Sequence, residues 1–271
     1  MKIAVAGKGG VGKTTLAGTL ARLLARNGLK VLAIDADPAM NLFYALGVPP
    51  NLIQSLTPIS ENSDLIGERA SLSSSPDLGA IIRLNPKVDD IVDRYGMRGP
   101  DDIRLLIMGT VKSAGSGCMC PENALLRALM RHIVLERDEV VILDMAAGLE
   151  HLGRGTARGV TLMMIVVEPG QQSIETARRI KDLAEELDID NIVGVGNKIS
   201  STKEQEFLKR SMDEVEIPLV GMIPFDKKIS EADLAQTAPI DYSESPAMDA
   251  IVEVKDWLLS NFAKKNDTPL F

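Results

Sequence analysis

Aromatic side chains are scarce in this chain: one Trp, three Tyr and five Phe make up 3% of 271 residues. Proteins that grip single-stranded nucleic acid stack bases on such rings, so that class is disfavoured. Basic charge is not in excess either. Thirty Lys and Arg stand against 38 Asp and Glu, a formal net charge of −8. Such a chain has little general attraction for nucleic acid or an anionic membrane surface, so neither is expected as a partner. Long apolar runs are missing: the run at 162–167 is too short to span a bilayer. The N-terminal apolar run is too short for a signal peptide and leads straight into a glycine-rich loop, so a cytoplasmic location is expected. Two cysteines, Cys118 and Cys120, cannot build a disulfide framework. The two histidines, His132 and His151, stand apart and read as structural or exposed. No internal repeat is evident.

What remains is a chain that is 45% hydrophobic and 25% charged, long enough for one large α/β domain over 1–271. Its organising stretch is Gly7-Lys8-Gly9-Gly10-Val11-Gly12-Lys13-Thr14-Thr15. It follows the apolar run Ile3-Ala4-Val5-Ala6 and opens a helical pattern over 16–26. Strand, glycine loop and helix N-terminus together predict a phosphate-binding loop. The glycines let backbone N–H groups at 9–15 converge on phosphate oxygens, and the helix end adds donors and partial positive charge. Lys13 is placed to reach the β- and γ-phosphates of ATP or ADP, and the Thr14 hydroxyl to ligate Mg²⁺. Lys8 is a second loop lysine: either solvated, or able to reach a nucleotide in a facing subunit.

Lys30-Val31-Leu32-Ala33-Ile34 reads as a buried parallel strand ending in Asp35-Ala36-Asp37-Pro38. Acids at the carboxyl end of such a strand, beside a phosphate loop, suit orienting water or holding Mg²⁺; a solvated turn is the alternative. Val140-Val141-Ile142-Leu143-Asp144 repeats the arrangement and places Asp144 near the Mg²⁺ site. Further strands are expected at 104–108, 162–167, 192–195 and 218–222. Helices are expected at about 122–136, 173–187 and 246–262, each with one apolar face. Strand and helix alternate, which predicts a doubly wound, mostly parallel sheet flanked by helices. The stretch 47–100 is punctuated by Pro, Gly and Ser and supports no clear element beyond short helical pieces near 53–56 and 88–92. It reads either as a partner-facing insertion or as a flexible excursion.

Cys118-Met119-Cys120 lies in a Gly/Ser-rich run. Two thiols at this spacing suit one soft cation, but a closed tetrahedral site needs four ligands. Either other groups help or a second subunit brings an identical pair; two buried apolar thiols are the alternative.

The form K-G-G-V-G-K-T-T resembles the dimeric ATPases of the MinD, ParA and nitrogenase iron protein superfamily, which implies a P-loop NTPase fold. The resemblance implies that Lys8 acts catalytically across a homodimer interface and that Asp37, in a switch I-like D-x-D-P run followed by Asn41, polarises the attacking water. It also implies that Asn197 reads adenine and that Pro224 and Phe225 form a second adenine-side loop. Further runs narrow the match: Gly117-Cys118-Met119-Cys120-Pro121-Glu122, Gly148-Leu149-Glu150-His151-Leu152-Gly153-Arg154-Gly155 and Val167-Glu168-Pro169-Gly170-Gln171-Gln172. These resemble the CooC-type ATPases of nickel insertion into carbon monoxide dehydrogenase or acetyl-CoA synthase. That family implies Ni²⁺ or Zn²⁺ held by Cys118 and Cys120 across a dimer promoted by ATP and metal, with the nickel enzyme as client. Ala146 stands where the family pattern often carries an acid. A MinD/ParA-like positioning ATPase and an iron–sulfur electron-transfer ATPase are the alternatives.

Overall fold

The computed structural model describes residues 1–262 apart from 54–55, 74–80, 84–85, 110–120, 137–138, 148–156 and 158. Its centre is an eight-stranded sheet in the order β10-β9-β8-β1-β7-β2-β6-β5. These strands are β1 (Lys2–Gly7), β2 (Val31–Ala36), β5 (Met97–Arg98), β6 (Arg104–Ile107), β7 (Val140–Met145), β8 (Leu162–Val167), β9 (Ile192–Ile199) and β10 (Leu219–Pro224). β3 (Ser71–Ser73) and β4 (Ile81–Ile82) pair separately. All neighbours in the large sheet run parallel except β5, which adds antiparallel to the β6 edge. This is the expected doubly wound architecture.

β1, β2, β7 and β8 are buried along their whole lengths, as continuous apolar runs in a sheet covered on both faces must be. The two-residue pleat divides β1 between two cores: Ala4 and Ala6 face one, Ile3 and Val5 the other. The second face is covered by α1 (Lys13–Arg26), α2 (Leu42–Leu46) and α11 (Pro246–Phe262). The first is covered by α4 (Ser63–Ala70), α5 (Ile91–Tyr95), α6 (Pro121–Glu136), α7 (Gln171–Glu186) and α8 (Thr202–Glu214). Short helices α3 (Pro50–Ile53), α9 (Lys227–Leu234) and α10 (Pro239–Tyr242) are the remaining α-helices with bounds among the described residues.

The described parts of 47–100 belong to the body of the fold. Leu65, Ile66, Ala70, Ile91 and Val92 are buried in the first core, and Met97–Arg98 supplies the sheet edge. Short helices fall at Pro50–Ile53 and Ile91–Tyr95; the second is shifted from the expected 88–92, while 54–55 of the expected piece at 53–56 lie outside the described residues. Five of the described helices, α2, α4, α8, α9 and α10, go beyond the sequence reading; α8 and α9 each carry a cap signal. Ser201 caps α8 by accepting from Glu204 N–H, while the Glu204 carboxylate reaches back to Ser200 N–H. Asp226 caps α9 by accepting from Lys228 N–H at 3.0 Å.

α1 and α2 lie so close that a Cβ on Gly18 would sit 2.6 Å from Ala45 Cβ. One turn on, Arg22 is 3% exposed and donates to Leu46 O at 2.7 Å and to the Asp241 carboxylate. Helix α2 is thus fixed to α1 independently of the loop that precedes it. Alanine ordinarily favours a helix over glycine by about 1 kcal/mol. Gly18→Ala should nevertheless lower stability by about 1–3 kcal/mol through overpacking. Urea denaturation checks this; a gain in stability would contradict the packing.

Candidate functional site

The loop between β1 and α1 turns through Gly10 and Gly12, at φ 82° and 95°. That left-handed conformation is costly for residues with a Cβ. At Gly12 a Cβ would also meet the Asn197 amide nitrogen at 2.3 Å. Helix α1 begins at Lys13 with no side-chain cap, so its first turn presents backbone donors to the loop. The loop borders a cavity of about 740 Å³ lined by Gly9, Gly10, Gly12, Lys13, Thr14 and Thr15, with Asp37, Ala39, Asn41 and Tyr44 on the facing side. Converging N–H groups at a helix N-terminus beside a buried lysine make a cradle for phosphate oxygens.

β2 and β7 are neighbours in register, with Asp35 opposite Asp144. Both are wholly buried. Thr14 donates its hydroxyl hydrogen to Asp144 Oδ2 at 2.6 Å, while Asp144 Oδ1 is buried with no hydrogen-bond partner among the described residues. Asp35 accepts from two backbone N–H groups, those of Asp37 at 3.2 Å and Leu42 at 2.9 Å. Asp37 accepts from Ala39 N–H and pairs through Oδ2 with Lys13 Nζ at 3.2 Å. Lys13, Thr14, Asp37 and Asp144 are therefore brought together as the sequence led one to expect. Burial pushes the Asp35 carboxyl up from 3.8 to about 6, against the backbone bonds that favour its ionised form. Burial likewise raises Asp144 to about 7; the Thr14 bond opposes this and the Asp35 charge adds to it.

Asn197 and Lys198, at the end of β9, hold the loop from the other side. Asn197 Nδ2 donates to Val11 O at 2.8 Å and Lys198 Nζ to Gly10 O at 2.5 Å. Asn197 also borders a smaller cavity of about 80 Å³ with Pro224, Phe225 and Ile251. The expected adenine-side residues are thus gathered in one place, with the Asn197 amide nitrogen engaged on the loop. Lys8 lies against its own chain: Nζ donates to Gln172 Oε1 at 3.1 Å and is 3.9 Å from Glu168, which also pairs with Lys198 at 3.6 Å. Sequence reasoning missed Lys198, Glu168 and Gln172 as neighbours of the loop. Lys198 had an adjacent signal in Asn197, and Glu168 and Gln172 stood in the family-like run at 167–172.

The expected metal ligands Cys118 and Cys120 lie outside the described residues, as does the family-like run at 148–155. Among the described residues no group of three or more His, Cys, Asp or Glu side chains is placed to hold a metal ion. A cation beside Asp144 would therefore draw part of its coordination from elsewhere. Mg²⁺ does this when it takes one or two carboxylates together with phosphate oxygens. The orphaned Asp144 Oδ1 and the Thr14 hydroxyl fit such an ion. No helix among the described residues is long and apolar enough to cross a membrane.

The family model for the CobQ/CobB/MinD/ParA nucleotide-binding domain matches residues 2–240. The chain is 48% identical to the carbon monoxide dehydrogenase accessory protein CooC of Rhodospirillum rubrum, over 90% of each chain. Among solved structures it resembles MinD in the MinC:MinD cell division complex of Aquifex aeolicus. There the TM-score is 0.67 at 22% identity, covering 100% of this chain and 97% of that one. The Mg-ADP complex of the septum site-determining protein MinD from Pyrococcus horikoshii is similar at TM-score 0.62 and 18% identity, covering 97% and 98%.

The two raised carboxyls have a consequence for stability. Asp35 and Asp144 bind protons more tightly in the folded chain than in the unfolded one, where they have ordinary values. Their stabilising contribution is complete below the unfolded value of about 4 and is lost as pH rises through about 6 and about 7. Nucleotide-free chain should lose stability from this source between about pH 4 and pH 8, and Asp144→Asn should flatten the slope. Urea denaturation across that range checks it; parallel slopes for parent and variant would contradict it.

Proposed function

The chain belongs to the CobQ/CobB/MinD/ParA nucleotide-binding family and is a P-loop ATPase. From that premise we propose that it works as a cytoplasmic homodimer that couples ATP binding and hydrolysis to nickel insertion into carbon monoxide dehydrogenase or the related acetyl-CoA synthase. The observation that carries this reading is the 48% identity, over nine-tenths of both chains, to an accessory protein of carbon monoxide dehydrogenase.

In this reading the backbone of 9–15 cradles the phosphates and Lys13 neutralises charge at the β- and γ-positions. Thr14, Asp144 and Asp37 would hold Mg²⁺, which when bound supplies positive charge against the phosphates. The unpartnered Asp144 Oδ1 supports that assignment. Asp37 orients the attacking water and accepts its proton. Asn197, Pro224 and Phe225 form the side of the site that receives adenine. Lys8 leaves Gln172 and Glu168 to meet the nucleotide of the facing subunit, so closure of the dimer depends on the γ-phosphate.

The cargo site is Cys118 and Cys120. One chain offers two thiolates, and two chains meeting on a symmetry axis offer the four that a tetrahedral zinc site requires; nickel can take a flatter arrangement. Nucleotide-driven closure brings the pairs together and hydrolysis releases them, which gives transfer to the client a direction.

Anaerobic metal analysis and sedimentation with a non-hydrolysable ATP analogue test this reading. The parent should bind about one Ni²⁺ or Zn²⁺ per dimer, and metal should favour the dimer by mass action. The Cys118→Ser, Cys120→Ser chain should bind none, and Lys8→Ala should weaken analogue-dependent pairing. Undiminished metal uptake in the double cysteine variant, or one ion per monomer with unchanged association, would overturn the shared site.

A further inference from the structure

The loop that carries Asp37 is held at both ends by Asp35, two positions before it. Asp35, the last residue but one of β2, is fully buried opposite Asp144 on β7. Its two oxygens are divided between the two ends of one short segment: Oδ1 accepts from Asp37 N–H and Oδ2 from Leu42 N–H. Leu42 opens α2, and a helix start is ordinarily capped by the residue just before it. Here that residue, Asn41, makes no side-chain capping bond. Asp35, seven positions upstream, satisfies the donor instead. Asn41 lines the phosphate cavity.

Between the clamped ends the backbone is forced into a conformation it would not take unaided. Met40 lies in the left-handed region at φ 46°, which side chains with a Cβ disfavour. Asp37 uses Oδ1 on Ala39 N–H and turns Oδ2 toward Lys13. A strained turn of this kind persists only where its surroundings over-determine it. Asp35 supplies that constraint at both ends.

We propose that Asp35 is a positioning residue for hydrolysis: by clamping Asp37 N–H and Leu42 N–H it fixes the aim of the Asp37 carboxylate and leaves the Asn41 side chain for the phosphate cavity. The proposal rests on the reading of Asp37 as the water-orienting group. An asparagine at 35 keeps the shape but has one acceptor oxygen, so one end of the segment loses its tether. Helix α2 keeps its own attachment to α1 through Ala45 against Gly18 and Leu46 O against Arg22, so the loss is confined to the loop.

Steady-state hydrolysis and titration with a non-hydrolysable ATP analogue are compared for parent, Asp35→Asn, Asp37→Asn and the double variant. The titration reports the folded phosphate site directly. Asp35→Asn should lower kcat by about tenfold or more while analogue affinity stays within about threefold, the mark of an interaction that matters in the transition state. The double variant should be no slower than Asp37→Asn alone, because a residue that acts through Asp37 has nothing left to aim. Three results would overturn the proposal: a parent rate in Asp35→Asn beside a slow Asp37→Asn, an affinity that falls in step with kcat, or losses that multiply in the double variant. A parent rate in Asp37→Asn would remove the assignment of Asp37 itself, and the proposal with it.

Discussion

Burial of two carboxylates side by side, at the ends of adjacent parallel strands, is the constraint on which the site depends. Asp35 and Asp144 face each other across β2 and β7 with no exposure to solvent, and Asp37 stands two residues on. Taking an ionised carboxylate out of water costs several kcal/mol unless it is paired and hydrogen-bonded. The nearest cation, Lys13, is paired with Asp37. Asp35 is compensated by two backbone donors, whereas Asp144 keeps one oxygen with no partner among the described residues. Once both are ionised, this point carries more buried negative charge than the described residues balance. The deficit lies beside a loop whose backbone donors favour anionic phosphate. A nucleotide with its cation answers both demands at once.

The fold exists around this point in a literal sense. β1 sits between β7 and β8, so the loop leaving it opens at the carboxyl ends of strands buried on both faces. α1 carries Lys13 and Thr14 at its first turn, Gly18 where α2 approaches, and Arg22 where α2 ends and α10 is tied in. One helix therefore fixes both the phosphate end of the site and the element that follows the Asp37 loop. Asn197 and Lys198 brace the same loop from β9. Lys8, half-buried and held by Gln172 and Glu168, is a soft contact in this ring. That suits the change of partners proposed for Lys8.

The phosphate loop was legible because glycine, lysine and threonine at fixed spacing have few other uses between a strand and a helix. The parallel sheet was legible from apolar runs that never alternate with polar residues. Asp144 could be read from its place at a strand end, but its missing partner could not. The work of Asp35 was hidden because D-x-D-P does not say which backbone donors each carboxylate meets. Lys8 and Gln172 are 164 positions apart, and no local signal announces such a meeting. The stretch 47–100 resisted because its helices are short and its apolar residues irregularly spaced. Their burial is decided by the sheet edge and by α6, not by local periodicity. Helix α8 is a different case: Ser201 and Glu204 spell a capping box, and the signal was there to be used.

The charge deficit at Asp144 makes the most direct demand on experiment. Calorimetric titration of a non-hydrolysable ATP analogue, with and without Mg²⁺, compares the two states for the parent and for Asp144→Asn. The account predicts that Mg²⁺ tightens binding to the parent by about tenfold or more, roughly 1.4 kcal/mol. It also predicts that most of this gain disappears in the variant. Equal affinity of the parent with and without Mg²⁺ would contradict it.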